Sequence, residues 1–130
     1  MKIQIMSIYV DDQAKAVRFY SDVLGFKKKV DFSNVGYRWV TVTSAEAPDG
    51  PELQLEANTN PAARAWQQAR FQQSQPAAMF FVDDVQAEYD RLEGLGVKFT
   101  TQPSKVTGST IAVLDDTCGN LIQIAALDRR

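Results

Sequence analysis

A short stretch of this chain occurs twice, and the duplication limits the folds that the chain can adopt. The stretch Ile8–Asp12 returns as Phe80–Asp84, and each copy is an apolar run that ends in two aspartates. Each copy leads into a segment with helical spacing of apolar residues, and the segments stop at Gly25 and Gly96. The repeat predicts two copies of one small folding unit.

The residues between these landmarks predict the same order of elements in both copies. Alternating apolar residues predict strands, and Asp12 and Asp84 are suited to cap the helices that follow. Gly50 and Gly119 precede Leu-Gln-Leu and Ile-Gln-Ile strands at identical spacing. The predicted ranges are 2–10, 13–24, 26–32, 37–43 and 51–56, then 76–82, 85–95, 97–101, 109–114 and 120–125. This order gives two tandem βαβββ modules in an α+β fold.

The segment between the copies predicts a connector helix. Asn60 is a suitable cap, Pro61 fits the first turn, and Trp66 and Phe71 are the expected anchors. We expect one domain over residues 1–130, with module one at about 1–58, the connector at about 59–74 and module two at about 75–127. A loop is expected over 102–108, and a loose tail from Leu127 onward.

Composition excludes several classes of function. The chain has no histidine, so mechanisms that need a Ser-His or Cys-His pair are excluded, as are His-rich zinc sites. Net charge is −2 and no basic stripe occurs, which argues against a nucleic-acid partner. The single cysteine, Cys118, allows no internal disulfide, and no apolar run reaches membrane-spanning length. With no signal-like N-terminus, we expect a cytoplasmic protein.

Three stretches carry a resemblance to a known family. Tyr9–Asp12, the Phe-Tyr…Leu-Gly-Phe helix over Val17–Phe26, and the turn Asp115–Asn120 resemble the glyoxalase / bleomycin-resistance / extradiol dioxygenase superfamily, also called vicinal oxygen chelate proteins. The resemblance covers essentially the whole chain. It implies two βαβββ modules whose sheets curl around a cavity, commonly in a homodimer.

The resemblance also implies where a metal would be held, on the first and fourth strands of each module. Those positions are Ile5, Gln54, Ala77 and Gln123 in this chain. Ile5 and Ala77 have no donor atom, and the two glutamines offer only neutral amide oxygens, which are poor ligands for a dication. We therefore expect no metal and no other cofactor.

Strand parity indicates what takes the place of a metal centre. Gln54 lies on one strand face and the flanking leucines on the other, so the glutamines should face the concave side. An apolar, aromatic hollow with two amides is typical of a small-molecule pocket. The candidate ligand-binding residues are Ile5, Tyr9, Trp39, Gln54, Glu56, Ala77, Phe81 and Gln123.

Each candidate also has a structural interpretation. The glutamines either bind a ligand or bond each other and water in a closed core. Glu56 is either a general base or a solvated acid at a strand end. Trp39 either stacks on a planar ligand or packs on its own sheet.

Three functions follow. The first is a metal-independent small-molecule-binding protein, and the second is a divalent-metal lyase, isomerase or dioxygenase with an atypical site. The third is a structural role as an obligate homodimer.

Overall fold

The duplication in the sequence is repeated in the backbone. A computed structural model describes residues 1–128, and Arg129 and Arg130 lie outside the described residues. The chain divides into two units, Met1–Ala65 and Trp66–Arg130. Each unit contains one four-stranded sheet, with strand order β1-β4-β3-β2 in the first and β5-β8-β7-β6 in the second. The predicted α+β fold with two tandem βαβββ modules is confirmed.

The first unit contains the predicted elements in the predicted order. They are β1 (Ile5–Val10), α1 (Gln13–Arg18) with a π-helical turn (Phe19–Val23), β2 (Lys27–Asn34), β3 (Tyr37–Thr43) and β4 (Glu52–Ala57). The sheet is antiparallel except that β1 pairs in parallel with β4. Parallel pairing requires a crossover, and α1 with the strands that follow it supplies one.

The connector helix and the second unit complete the chain. They comprise α2 (Pro61–Gln72), β5 (Ala78–Phe81), α3 (Val85–Gly94), β6 (Phe99–Val106), β7 (Ser109–Asp115) and β8 (Leu121–Leu127). The predicted loop over 102–108 is wrong, because β6 continues through Pro103 to Val106. Its pairing with β7 shifts register between Thr101 and Ser104. An edge strand with a bulge tolerates a proline because that residue needs no ladder partner.

The chain end is also more ordered than predicted. Leu127 is the last residue of β8 rather than part of a loose tail. The Asp128 amide donates to the carbonyl of Gly108 at 2.9 Å, and Lys105 Nζ lies 2.7 Å from Asp128 Oδ1. The predicted tail beyond Asp128 lies outside the described residues.

The two repeated strand-to-helix junctions are capped in the same way. Asp12 Oδ1 accepts a hydrogen bond from Lys15 N, and Asp84 Oδ1 accepts one from Ala87 N, each at 3.0 Å. The hydrogen bond from Lys15 N lowers the pKa of Asp12. Each side chain satisfies an N–H group that has no partner within its helix. Asp12 and Asp84 therefore define the two helix starts, as the sequence predicted.

The first helix is one residue longer than the second, and its π-helical turn absorbs the difference. Leu24 N donates to Phe19 O at 3.0 Å, a bond that spans five residues. π-helical turns within α-helices form such bonds. The turn directs Phe19 and Tyr20 into the core, where their rings pack edge to face with centroids 5.7 Å apart.

Each sheet has one face that supplies the core of its unit. In the first sheet these residues are Ile8, Val10, Val40, Val42 and Leu55, and in the second they are Ala112, Leu114, Ile122 and Ile124, all buried. We call this the helix face, because α1 contacts β3 and β4 in the first unit and α3 contacts β7 and β8 in the second. Gln54 and Gln123 lie on the opposite faces, as strand parity predicted.

The connector helix is anchored differently from the prediction. Asn60 caps it, since Asn60 Oδ1 accepts from Ala62 N at 2.8 Å. Trp66 is 58% exposed and Phe71 is 36% exposed, so the expectation that these rings anchor the helix is wrong. The buried side chains of α2 are Ala63 and Gln67. The Arg70 guanidinium instead lies over the Trp66 ring, 5.1 Å from the ring centroid.

Gln67 joins a buried polar network in the turn between β7 and β8. Its Nε2 atom donates to Cys118 O at 3.1 Å and to Asn120 Oδ1 at 3.2 Å. Asp116, which is fully buried, accepts from the backbone N–H of Cys118 and of Asn120 and from Asn120 Nδ2. Buried polar groups need such partners, so the network stabilises the turn that leads into β8. The buried position of Cys118 does not favour a reactive thiol.

Gly119 should be the most sensitive glycine of this network. Its φ is +98°, and a Cβ atom there would lie 2.6 Å from Gln67 Nε2. Gly108 is the matched control, with φ +79° and open space around it. We expect Gly108→Ala to lower the free energy of unfolding by about 1–2 kcal/mol through backbone strain alone. Gly119→Ala should cost about 2–4 kcal/mol, because the displaced amide also loses buried hydrogen bonds.

Urea denaturation of the two variants checks this prediction. Equal losses in Gly119→Ala and Gly108→Ala would show that the contact with Gln67 contributes nothing.

Candidate functional site

The parallel pairing of β1 with β4 builds the candidate site of the first unit. It places Ser7 opposite Gln54 and Tyr9 opposite Glu56. Ser7 Oγ donates to Gln54 Oε1 at 2.8 Å. We call this side of the first sheet the Gln54 face. It presents Ile5, Ser7, Tyr9, Phe32, Tyr37, Trp39, Thr41, Thr43, Glu52, Gln54 and Glu56.

Gln54 is almost completely buried, at 5% exposure, but only the oxygen of its side-chain amide has a hydrogen-bond partner. Oε1 is satisfied by Ser7, whereas Nε2 donates to no described residue. Ser21 Oγ is the only side-chain polar atom in the described chain that is both fully buried and unpaired. The Gln54 Nε2 atom therefore keeps some contact with solvent, and its N–H groups have no acceptor among the described residues.

The corresponding side of the second sheet, the Gln123 face, is more apolar. Met79 pairs with Gln123 and Phe81 pairs with Ala125. Gln123 Nε2 lies 3.7 Å from Met79 Sδ, a weak acceptor, and the Gln123 side chain is half-buried. Met79 and Phe81 are 51% and 60% exposed, and Ala77 is exposed.

The structure places the eight predicted site residues in two groups, five on the Gln54 face and three on the Gln123 face. Trp39, Tyr9 and Glu56 are half-buried, and Ile5 is 38% exposed. Ile5 is directly opposite Glu52 rather than Gln54. On β1 and β5, the residues opposite the two glutamines are Ser7 and Met79, which the sequence did not single out as candidates.

A side chain of α1 bridges β3 and β4 next to Glu56, where these two strands separate. The β3–β4 ladder runs from Thr43 and Glu52 to Thr41 and Gln54, where it stops. Just beyond it, Gln13 Nε2 donates to Arg38 O and to Leu55 O, both at 2.9 Å. The amide thus occupies the place of ladder hydrogen bonds where the two strands separate, and it satisfies their free carbonyls.

The charges of the first unit are unevenly distributed between the two sides of the sheet. Arg38, on the helix face, makes a two-point contact with Asp31 at 3.0 and 2.8 Å. The hydrogen bond from Arg38 lowers the pKa of Asp31 to about 2. Glu52 Oε1 accepts from Thr41 Oγ1 at 2.6 Å. Within residues 1–128, Glu52 and Glu56 form no ion pair.

The four positions that would hold a divalent metal do not fit one. Ile5 and Ala77 lack a donor atom, and the Gln54 oxygen already accepts from Ser7. The described residues contain no group of three or more His, Cys, Asp or Glu side chains placed to bind a metal ion. Neutral amides alone are weak ligands for such cations.

Comparison with known proteins identifies the family. The Glyoxalase/Bleomycin resistance protein/Dioxygenase superfamily matches residues 2–124, and this chain belongs to that superfamily. The uncharacterized protein YurT of Bacillus subtilis (strain 168) is 52% identical over 124 residues, which cover 95% of this chain and 98% of YurT.

Solved structures with similar folds include an antibiotic binding protein. The crystal structure of UcmS2 has a TM-score of 0.83 at 27% identity and covers 96% of this chain and 97% of UcmS2. TnmS3, an antibiotic binding protein from Streptomyces sp. CB03234, has a TM-score of 0.78 at 26% identity, covering 98% of this chain and 97% of TnmS3. No helix among the described residues is both long and apolar enough to cross a membrane.

Replacement of Gln13 should test the bridge between β3 and β4. Gln13→Met keeps the length of the side chain but removes both donors, so the carbonyls of Arg38 and Leu55 lose their partner. We expect the free energy of unfolding to fall by about 1–3 kcal/mol. Gln68→Met, on an exposed position of α2, is the control and should change it by less than about 0.5 kcal/mol. Urea denaturation measures both, and a neutral Gln13→Met would contradict the bridge.

Proposed function

We propose that this protein is a metal-independent small-molecule-binding member of the superfamily. The proposed ligand contacts are Ile5, Tyr9, Trp39, Gln54 and Glu56 on the Gln54 face, and Ala77, Phe81 and Gln123 on the Gln123 face. We favour a binding protein over a divalent-metal enzyme, because the candidate site residues are better suited to contact a small molecule than to hold a metal ion.

The observation that carries this proposal is the state of the Gln54 amide. A buried amide whose oxygen is bonded and whose N–H groups remain open is suited to bind an acceptor atom of a ligand. Aromatic side chains lie on the same face, and small-molecule sites combine such apolar surfaces with a few fixed polar groups. The absence of donors at Ile5 and Ala77 supports a function that needs no metal.

One structural neighbour supports a small-molecule ligand. TnmS3 is an antibiotic binding protein and shares the fold over nearly its whole length. We therefore propose that this chain binds an antibiotic or a compound of similar size.

Thermal unfolding with a panel of antibiotics tests the proposal. The panel includes tetracycline, quinolone, anthracycline, macrolide and β-lactam compounds, each with EDTA present. A ligand at 100 times its Kd stabilises the native state by about 2.7 kcal/mol, which should raise Tm on the order of 10 °C. The metal-dependent enzyme would be favoured instead if none of the antibiotics stabilised the protein in EDTA, while Zn²⁺, Ni²⁺, Mn²⁺ or Fe²⁺ stabilised it in a buffer without EDTA.

Replacement of Gln54 tests its proposed contact with the compound that gives the largest shift in Tm. Gln54→Leu removes the open N–H groups and puts an apolar side chain of similar size in their place. We expect its Kd to rise by about three- to tenfold, the loss of one neutral hydrogen bond. Calorimetric titration measures the change, with Gln68→Leu as the control. An unchanged Kd in folded Gln54→Leu would remove Gln54 from the site.

We further propose that the protein is a cytoplasmic homodimer. Exposed apolar side chains, including Ile3, Met6 and Phe32, are available for a contact between copies. Sedimentation equilibrium should give twice the mass of 14.5 kDa, and a single 14.5 kDa species at micromolar concentration would contradict it. Cell fractionation tests the location.

A further inference from the structure

A two-stranded ribbon extends beyond the rest of the first sheet. Residues 31–34 of β2 pair with residues 37–40 of β3, whereas the pairing of β3 with β4 ends at Thr41 and Gln54. We call residues 31–40 the arm. Among the strands of the described chain, the two strands of the arm pair only with each other. The arm is therefore attached to the sheet at its base alone.

The base of the arm has the features of a hinge in both of its strands. In β2 a bulge shifts the register between Lys28 and Val30, and Val30 pairs with Thr41. Thr41 is also the last residue of β3 that pairs with β4. A bulge disrupts the ladder locally and bends its strand. The bulge in β2 thus lies at the level where β3 leaves β4, and hinges of moving segments are formed by a few such residues.

The second unit shows that the fold does not require a free arm. Val113 and Gln123 form the pair that corresponds to the last β3–β4 pair of the first unit. The pairing of β7 with β8 continues beyond them for four more pairs, which end at Ser109 and Leu127. The edge strand β6 also has bulges, so a bulge by itself does not free the hairpin. The free arm is therefore a property of the first copy.

The first residue of the helix differs between the copies in the same sense. Gln13 begins α1, and the corresponding residue of α3 is the buried, apolar Val85. Gln13 Nε2 donates to Arg38 O in the arm and to Leu55 O in β4, both at 2.9 Å. The copy with the free arm thus has an amide that ties the arm to β4, and the copy with the continuous ladder has a valine.

The tip of the arm is open to solvent on the side of the helix. An open cleft of about 410 Å³ lies there, lined by Gln13 and residues 33–38. Residues 33–37 are all exposed. Within the arm, the two-point contact of Arg38 with Asp31 links the two strands. The arm is thus braced internally, while its tip is held mainly by the two hydrogen bonds of Gln13.

We propose that the arm is a flap that closes over a small molecule on the Gln54 face, and that the Gln13 side chain is the latch that holds it open. This inference rests on the proposed small-molecule-binding function and adds a conformational step to it. Phe32 and Tyr37 lie on the Gln54 side of the arm and are 58% and 51% exposed, so the latched arm leaves both rings uncovered. Closure breaks the bond from Gln13 to Arg38 O and places the rings over the bound molecule, which removes apolar surface from water.

Native-state hydrogen exchange of the ligand-free protein tests the flap. We expect amides of residues 31–40 to exchange through a local opening, at least about tenfold faster than those of the equivalent hairpin, residues 104–111, after correction for intrinsic rates. Urea up to about 2 M should accelerate exchange in the arm only slightly, because local opening exposes little surface. Equal corrected rates in the two hairpins, with equal dependence on urea, would overturn the flap.

Replacement of Gln13 tests the latch. Closure costs the wild-type protein the bond from Gln13 to the arm, so Gln13→Met should favour the closed state. We expect this variant to bind the antibiotic that gives the largest shift in Tm at least about threefold more tightly in calorimetric titration. Gln68→Met is the matched control and should leave the Kd unchanged. A Kd that is unchanged or higher in folded Gln13→Met would overturn the latch.

The outcomes distinguish this inference from the function on which it rests. Equal exchange in the two hairpins would remove the flap and leave small-molecule binding in place. Failure of every antibiotic in the panel would overturn the proposed function, although exchange would still report whether the arm opens. The exchange experiment on the wild-type protein keeps the test decisive if Gln13→Met folds poorly.

Discussion

The parallel pairing of the first strand with the fourth is the constraint on which the candidate site depends. These strands are far apart in sequence, and their register alone decides that Ser7 meets Gln54 and that Tyr9 meets Glu56. A slip of one residue would move every side chain of β1 to the other face of the sheet. The buried residues Ile8 and Val10 prevent such a slip, because it would expose them to solvent. The hydrophobic core on one face thus positions the polar groups on the other.

The two copies show which parts of this arrangement belong to the fold. Both contain the aspartate cap, the glycine at the end of the helix, and the buried face of β4 or β8. They differ on the opposite face, where the first copy has Ser7 and Glu56 and the second has Met79 and Ala125. Since both sheets form, these residues are free to serve binding. The first copy presents polar groups, and the second presents a largely apolar surface.

The opening in the first sheet links the helix to the site. Gln13 is the first residue of α1, and its amide satisfies two strand carbonyls where β3 and β4 separate. Without that amide, the separation would leave two part-buried backbone carbonyls without this partner, which is costly. The aspartate cap at Asp12 fixes the start of the helix and so the position of Gln13. The repeated junction therefore contributes to the geometry around Glu56, although its acids lie outside the site.

Several features of the protein follow from the sequence because they arise from neighbouring residues. The strand alternation, the caps at Asp12 and Asp84, and the opposite faces of Gln54 and Leu55 are of this kind, and so is the lack of donors at Ile5 and Ala77. Other features required the tertiary structure, because they depend on hydrogen bonds between distant segments. Nothing in the sequence distinguishes Gln67 from the other glutamines, because its bonds reach the distant β7–β8 turn. Pro103 suggested a loop, because the sequence does not show that it lies on an edge strand. Ser7 and Gln13 became parts of the site only when strand register and helix packing brought them to Gln54 and to the end of the β3–β4 ladder.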